Sequence, residues 1–237
     1  MRITKWMLAH FGVSLAAVSA VVSVAALVWY PGPSIWLSGG IQLLLVLGMV
    51  DVALGPLCSY LVLRRPRPRR ELMIDVTVIL ALQAAALAYG AFTAFQARPV
   101  ALAFEYRLFR IVHANEMDAV SSLPQSEASF FGLPVYALRP FEGPDEQFTA
   151  TMRALSGEHL ATQRALWAPY ESQKDDVLRA AQEYIPPQDM QPADVLRTPV
   201  VYLPVLSRDR SAVLVLSRDQ LEPQAVLRQE AYANPSR

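Results

Sequence analysis

Three long apolar runs dominate the first hundred residues of the sequence, and short polar or proline-rich segments separate them. Each run is close to the roughly 20 residues that a helix needs to cross the hydrocarbon core of a bilayer. The first run is also longer than the apolar core of about 7–15 residues that is usual in a secretory signal. The pattern therefore predicts a membrane domain over residues 1–97 with three transmembrane helices, at residues 8–29, 35–63 and 72–95.

From Arg98 onward, polar and apolar residues are mixed as they are in a soluble domain. Period-two alternation indicates strands, spacing of three and four residues indicates helices, and proline ends them. The predicted elements are a half-exposed strand, a short strand, two helices and a β-hairpin with a five-residue turn, at residues 100–112, 134–141, 148–166, 172–184 and 200–216. The fold class is thus membrane α-helical plus a small α+β domain over residues 98–222, with a flexible polar tail at residues 223–237.

Composition agrees with this division of the chain. The sequence is 53% apolar and 18% charged, whereas soluble domains carry roughly 25% charged residues. Residues 1–97 hold seven basic and three acidic side chains, and the remainder holds 14 basic and 18 acidic ones. The net charges of +4 and −4 favour a membrane part and a separate soluble part, and they argue against nucleic acid as a partner.

The positive charges also predict an orientation in the membrane. The loop between the second and third apolar runs contains five arginines, whereas the loop at residues 30–34 contains no basic residue. The arginines are Arg64, Arg65, Arg67, Arg69 and Arg70. Short basic loops stay in the cytoplasm, so these arginines are expected to act as a topology anchor. The N-terminus is then cytoplasmic, and the domain after residue 98 is periplasmic in a bacterium.

Asp51 is the candidate functional residue of the second run, because a carboxyl group near the middle of a membrane is costly and marks function by default. Gly48, Gly55 and Ser59 share its helical face, and Pro56 predicts a kink beside it. Small residues allow helices to approach closely. Three interpretations remain open: a hydrogen bond that holds the helices together, a docking face for a partner's membrane helix, or a proton or ion path.

The sequence offers little chemistry for catalysis. The three histidines, His10, His113 and His159, lie in unrelated contexts without a second ligand at metal-binding spacing. Nucleophile elbows, phosphate-binding glycine loops and dinucleotide fingerprints are also missing from the sequence. No catalytic, cofactor or metal site is predicted, and we expect the protein not to be an enzyme.

A set of residues in and just after the apolar runs resembles the TfpX/TfpZ family of type IV pilin accessory proteins. They are His10-Phe11-Gly12, Trp29-Tyr30-Pro31, Val50–Leu57, Asp75, Leu82-Gln83, Ala86–Gly90, Arg98-Pro99, Phe109 and Ala114-Asn115-Glu116. The match covers residues 8 to about 116 and is specific, because polar and small residues recur at defined places in otherwise interchangeable apolar sequence.

The resemblance implies an inner-membrane protein that assists the stability or assembly of a type IV major pilin, without enzymatic activity. It suggests that the membrane helices receive the apolar helix of the pilin and that the periplasmic domain contacts the pilin head. Expected partners are the pilin, membrane lipids and other pilus assembly proteins. Two other classes remain: a periplasmic sensor or signalling subunit of a membrane complex, which would need a separate output protein, and a membrane enzyme.

Overall fold

The computed structural model describes residues 2–50, 53, 57–58, 60–61, 68–117, 124–184, 199–208 and 210–228. The chain divides into two units. The helical unit comprises residues 1–30 and 39–97, and the β-rich unit comprises residues 31–38 and 98–237. The chain therefore enters the β-rich unit briefly at residue 31, before it does so again at residue 98.

Three helices of the helical unit lie wholly in the described residues: α1 (Arg2–Val24), α3 (Gly40–Met49) and α4 (Arg69–Gln96). The short helix α2 (Ser34–Leu37) belongs to the β-rich unit. The last turn before Tyr30 is π-helical, over Ala25–Trp29. In the part of the chain that the structure describes, two helices are long and apolar enough to cross a membrane, at Leu8–Trp29 and Arg70–Gln96. Three were expected; the remainder of the second predicted span lies largely among residues outside the described ranges.

The start of the second predicted span differs from the expectation. Residue 35 was expected to lie in a transmembrane helix, but Ser34–Leu37 form a separate four-residue helix, α2, that belongs to the β-rich unit. Gly39 has a φ of +72°, in the left-handed region that favours glycine, so the chain breaks there and α3 begins at the next residue. Leu37 is 2% exposed and belongs to the core of the β-rich unit.

A mixed sheet of eight strands forms the β-rich unit. The strands are β1 (Pro99–Glu105), β2 (Leu108–His113), β3 (Ser129–Phe130), β4 (Leu133–Leu138), β5 (Trp167–Pro169), β6 (Val200–Ser207), β7 (Arg210–Ser217) and β8 (Pro223–Arg228). Their order is β3-β4-β1-β2-β6-β7-β8, and β5 pairs with β4 off this path, opposite Tyr136, Ala137 and Leu138. The β1–β4 and β2–β6 pairs are parallel, and the others are antiparallel.

The first predicted strand is in fact a hairpin that is buried on both faces. Tyr106 adopts a left-handed conformation with a φ of 57°, which turns the chain between β1 and β2. Along β1, Leu102 and Phe104 enter one apolar cluster, while Ala101 and Ala103 enter another. The expectation of one half-exposed strand over residues 100–112 was therefore wrong, because both faces of the sheet are covered.

Two helices pack on this sheet, α5 (Pro144–Leu155) and α6 (Lys174–Glu183). The prediction at residues 172–184 is confirmed by α6. The predicted helix at 148–166 was too long at its C-terminal end, because Gly157 adopts a φ of +101° just after α5 and 3₁₀ turns follow.

The C-terminal hairpin is confirmed as β6 and β7, with pairing that continues to Ser207 and Arg210 and thus a shorter turn than five residues. Pro223–Arg228 were expected to belong to a flexible tail but form β8, because Ala225, Val226 and Leu227 pair with β7. The remainder of the predicted tail, residues 229–237, lies outside the described residues.

The segment at residues 31–38 is held in the β-rich unit by both apolar and polar contacts. Arg210 donates a hydrogen bond to the carbonyl of Trp36, and the guanidinium of Arg228 lies 4.8 Å from the centre of the Trp36 ring. Gly132, with a φ of +84°, passes so close to Pro31 that an added Cβ would lie 3.2 Å from the proline ring. These contacts make the segment part of this unit's fold rather than a free loop.

Candidate functional site

A chain of polar side chains runs from the interior of the β-rich unit to its surface, and we call it the buried polar network after its buried members. Ser38, His113 and Ser207 are buried, Glu116 is partly buried, and Asn115 and Arg208 are exposed. Strands β2 and β6 are parallel neighbours, so the ends that carry His113 and Ser207 meet at the same edge of the sheet. The Ser207 Oγ atom lies 3.4 Å from His113 Nε2 and 3.4 Å from Ser38 Oγ. His113 and Ser207 have no exposed surface, and Ser38 is 7% exposed.

The carboxylate of Glu116 is the acceptor at the other end of this network. His113 donates to Glu116 Oε2 from its backbone N–H at 3.1 Å and from Nδ1 at 3.0 Å. Nδ1 must be the donor, because a carboxylate only accepts. Arg208 donates to Glu116 Oε1 at 3.3 Å and to Asn115 Oδ1 at 3.1 Å. These hydrogen bonds join the 3₁₀ turn at Ala114–Glu116 to Arg208, the residue that follows β6.

The environment of Glu116 stabilises its ionised form. Burial by itself raises the pKa of this carboxyl group. The hydrogen bonds from the side chain and backbone of His113, together with electrostatic interactions with His113 and Arg208, outweigh burial and lower the pKa to about 2. Glu116 is therefore a fixed negative charge at neutral pH, and its two oxygens face different partners.

Serine, histidine and a carboxylate in this order resemble the groups of a hydrolytic triad. A nucleophilic serine has to meet its substrate, however, and the Oγ atom of Ser207 belongs to a residue without exposed surface. The distance of 3.4 Å to His113 is also longer than the roughly 2.6–3.2 Å of a nucleophile and its base. The arrangement is suited to joining the residue 31–38 segment, β2 and β6 inside the fold.

A second polar contact lies in the helical unit. His10 Nε2 on α1 donates to Gln83 Oε1 on α4 over 2.7 Å. The Tyr30 hydroxyl donates to the carbonyl of Ala94 at 2.9 Å, which adds a contact near the end of α4. Hydrogen bonds of this kind join helices in a lipid environment, where apolar contact does not favour helix association over contact with lipid.

Small residues mark the close contacts between the helices of this unit. Gly48 on α3 lies against α1, where an added Cβ would meet Val18 Cγ1 at 3.5 Å. Gly90 on α4 faces Leu47, and a Cβ at this glycine would collide with the Leu47 side chain. The two glycines thus allow α3 to pack between α1 and α4.

Comparison with known proteins finds relatives that are named fimbrial assembly proteins. A fimbrial assembly protein of Dichelobacter nodosus, serogroups C1 and C2, is 31% identical to this chain over 117 residues, which make up 49% of this chain and 88% of the relative. The chain belongs to the family of fimbrial assembly proteins.

Two longer members of the fimbrial assembly family match more of the chain. The proteins of serogroups I and E1 from the same organism are each 29% identical over 177 residues, covering 73% of this chain and 68% of the relative. No family model matches the chain. No solved structure matches it.

The structure of this fimbrial assembly protein places the predicted site residues unevenly. Gly48 is half-buried against α1, and Arg69 and Arg70 begin α4. The other predicted positions lie outside the described residues: Asp51, Gly55, Pro56, Ser59, Arg64, Arg65 and Arg67. The docking face and the arginine anchor therefore stay predictions.

Some residues that carried the TfpX/TfpZ resemblance meet in space. His10 and Gln83 form the helical hydrogen bond, and Asn115 and Glu116 enter the buried polar network. Sequence reasoning missed Ser38 and Ser207, because 169 residues separate the two serines and neither lies in a local motif. The one signal in the sequence for these two serines is that each stands at the end of an apolar stretch.

Proposed function

We propose that this fimbrial assembly protein is an inner-membrane accessory protein of a type IV pilus, of the TfpX/TfpZ kind, that assists the stability or assembly of the major pilin. The observation that carries the proposal is the 31% identity to a fimbrial assembly protein over 88% of that relative's length. The residues shared with the TfpX/TfpZ pattern support the narrower assignment, since several of them form internal contacts in this fold.

Membrane attachment is the second part of the proposal. The helices at Leu8–Trp29 and Arg70–Gln96 have the length and composition of transmembrane spans. In this proposal the N-terminus lies in the cytoplasm and the β-rich unit lies in the periplasm, and the arginine-rich segment that ends at Arg70 supports this orientation through the positive-inside rule. A reporter enzyme fused after residue 228 should be active in the periplasm, and cytoplasmic activity would contradict this orientation.

The protein acts by contact rather than by catalysis in this proposal. The serine and histidine that come together in the β-rich unit have no exposed surface, so in this proposal they stabilise the fold instead of meeting a substrate. The proposed contact surface in the membrane comprises Asp51 and Gly55, which the sequence predicts to lie on one helical face. Gly48 already packs against Val18, so the pilin is expected to meet the part of this face beyond α3.

Deletion of the gene tests the proposal directly. Pili should be lost or strongly reduced on the deletion strain, and the wild-type gene should restore them. Pilin abundance, measured by immunoblot, separates an effect on stability from one on assembly. Wild-type piliation in the deletion strain would overturn the proposed function.

Asp51→Leu tests the proposed docking face, with Asp75→Leu as the matched loss of a carboxylate in α4. If Asp51 binds the client, the variant should accumulate normally while pili are lost, and pilin should no longer crosslink to positions 48–59. A fall in the variant's own abundance would instead indicate that Asp51 holds the helices together. Normal piliation with Asp51→Leu would remove this residue from the proposal.

A further inference from the structure

Residues 31–38 belong to the β-rich unit, although the chain before and after them belongs to the helical unit. We call this segment the strap. The π-helical turn Ala25–Trp29 ends one residue before it, and Gly39 alone separates its last residue, Ser38, from the first residue of α3. The strap is therefore joined covalently to the helical unit at both ends while it is folded into the β-rich unit.

The strap is stiff because it is hydrogen-bonded within itself. The carbonyl of Pro31 accepts from the backbone N–H of Ser34 at 3.3 Å and from its hydroxyl at 2.7 Å. The backbone N–H of Leu37 donates to the carbonyl of Pro33 at 3.2 Å, and that of Ser38 donates to the carbonyl of Ser34 at 2.8 Å. Because these bonds fix the backbone of the segment, a displacement at one end moves the strap as a body.

One side of the strap fills an apolar groove on the sheet. Leu37 is 2% exposed and belongs to the same apolar cluster as Leu102, Ile111 and Leu214. A cavity of about 20 Å³ remains between the strap and these side chains, which is close to the space that one water molecule needs. The packing is thus nearly complete, with room for a small shift of the strap.

The strands β6, β7 and β8 each contribute a polar contact to the strap. On β6, Ser207 Oγ lies 3.4 Å from Ser38 Oγ, which is longer than the roughly 2.5–3.0 Å of a normal hydrogen bond between hydroxyl groups. Trp36 receives the other two contacts: Arg210 on β7 donates to its carbonyl, and the guanidinium of Arg228 on β8 lies 4.8 Å from the centre of its ring. The long contact is at the end of the strap next to α3, so a displacement of α3 reaches it first.

Gly39 leaves little slack between the strap and α3. Successive Cα atoms are about 3.8 Å apart, so a shift of the start of α3 by more than a few ångströms must also move Ser38. We propose that the strap couples α3 to β6, β7 and β8, so that a displacement of α3 loosens this side of the sheet. The inference rests on the proposed function, in which the client docks on the part of the apolar run that follows α3. The strap then relays docking to the β-rich unit.

Hydrogen exchange in the full-length protein, reconstituted in nanodiscs, tests this coupling without a client. Leu47→Ala removes a buried side chain that packs against Gly90 on α4, and it should displace α3. Amide exchange in β6–β8 should then rise about fivefold or more, the lower end of the usual range for coupled sites. Leu45→Ala is the matched control on the same helix, because Leu45 is 58% exposed and should leave the sheet unchanged.

A flexible Gly-Ser insert of about six residues between Gly39 and Gly40 should abolish the response of β6–β8 and leave faster exchange in α3. The same insert after Gly157, in the exposed loop behind α5, should preserve the response. Unchanged exchange in β6–β8 while α3 exchanges faster would overturn the coupling. A response that persists with the insert at Gly39 would mean that the strap does not carry it, which would also overturn the proposal.

Two further measurements keep this inference separate from its premises. If Leu47→Ala does not accumulate, Gly48→Leu displaces α3 by pressing on Val18, and the same outcomes decide. A strain that carries the insert at Gly39 should accumulate the protein and lose its pili. Normal piliation of that strain, when the deletion strain lacks pili, would overturn the relay and leave the proposed function intact. Normal piliation of the deletion strain would reject the proposed function, and with it the relay to a client, whatever the exchange data show.

Discussion

The two units of this fimbrial assembly protein use apolar residues in opposite ways. In the helical unit, Leu27 and Tyr89 are 79% and 74% exposed, and at most 11% of either apolar span is buried within the protein. In the β-rich unit, Phe109 has no exposed surface and contacts the rings of Phe104 and Tyr170. The helical unit thus leaves most of its apolar side chains exposed, whereas the β-rich unit buries its own in a core.

The units also differ in how they treat polar groups. Helices satisfy their backbone hydrogen bonds internally, so a few side-chain contacts such as that of His10 with Gln83 are enough to join them. The β-rich unit joins strand ends and an inserted segment through the buried polar network. His113 in the β-rich unit has no exposed surface and contacts both Glu116 and Ser207. Substitutions in each unit should therefore have effects of different size.

The largest expected contrast comes from removing one aromatic ring in each unit. Phe109→Ala leaves a cavity in a packed core and should lower the free energy of unfolding of the β-rich unit by about 3–5 kcal/mol. Tyr89→Ala removes a side chain that is 74% exposed, and it should change the stability of either unit by about 1 kcal/mol or less. Hydrogen exchange of residues 99–113, measured in detergent micelles, reports on the first unit specifically.

Faster exchange across β1 and β2 in Phe109→Ala, with unchanged exchange in α4, is the expected pattern. Phe109→Leu serves as the control, since it retains an apolar side chain and should recover part of the loss. Equal effects of Phe109→Ala and Tyr89→Ala on their own units would show that Tyr89 is packed inside protein, and the contrast between the units would fail.

A smaller effect is expected from the charge at the end of the buried polar network. The pKa of Glu116 is lowered to about 2, so its ionised form stabilises the folded state. The stabilisation is fully present above the ordinary carboxyl pKa of 4.5 and is lost as the pH falls toward 2. Glu116→Gln should cost about 1–3 kcal/mol at pH 7, because it removes the charge that His113 and Arg208 contact.

Urea unfolding of the β-rich unit at pH 7, 4.5, 3.5 and 2.5 measures this dependence. The wild-type protein should lose stability between pH 4.5 and 2.5 by more than Glu116→Gln does. Glu142→Gln removes a carboxylate that is 81% exposed, and it should remain within about 0.5 kcal/mol of the wild type at pH 7. Parallel pH profiles for Glu116→Gln and the wild type would mean that this carboxylate does not stabilise the fold.

Elements with strong local signals could be predicted from the sequence. Helix α6 has Asp175 and Asp176 in its first turn and a clear apolar face, and the C-terminal hairpin has two apolar runs around a charged turn. The sequence did not predict the turn between β1 and β2, because Tyr106 adopts the left-handed conformation there. Glycine or asparagine usually occupies such a position, and neither is present at residue 106. Burial on both sides of β1 depends on tertiary contacts that period-two alternation does not show.

The site was less predictable than the fold. The motif residues that carry the resemblance include Asn115 and Glu116, but the serines that complete the network lie at distant positions in the chain. The sequence prediction put Ser38 inside a membrane span, because residues 35–63 form one nearly continuous apolar run. In the structure this serine follows a short helix in the β-rich unit, since Gly39 interrupts the run with its left-handed backbone. Apolar content alone does not distinguish a buried loop from lipid-facing helix.

The smallest effect is expected for the hydrogen bond between α1 and α4. His10→Leu and Gln83→Leu each remove one partner of a 2.7 Å contact, and their double-mutant cycle should give a coupling energy of about 0.6 kcal/mol, with an upper range near 1.7. The value is modest because polar side chains in unfolded membrane helices also find partners. Unfolding by SDS in mixed micelles, followed by a fluorophore on α4, measures each variant.

Thr93→Val is the control, since its hydroxyl donates to Tyr89 within the same helix and should show no coupling to His10→Leu. A coupling energy of zero between positions 10 and 83 would mean that small-residue packing at Gly48 and Gly90, without side-chain hydrogen bonds, is sufficient to join these helices.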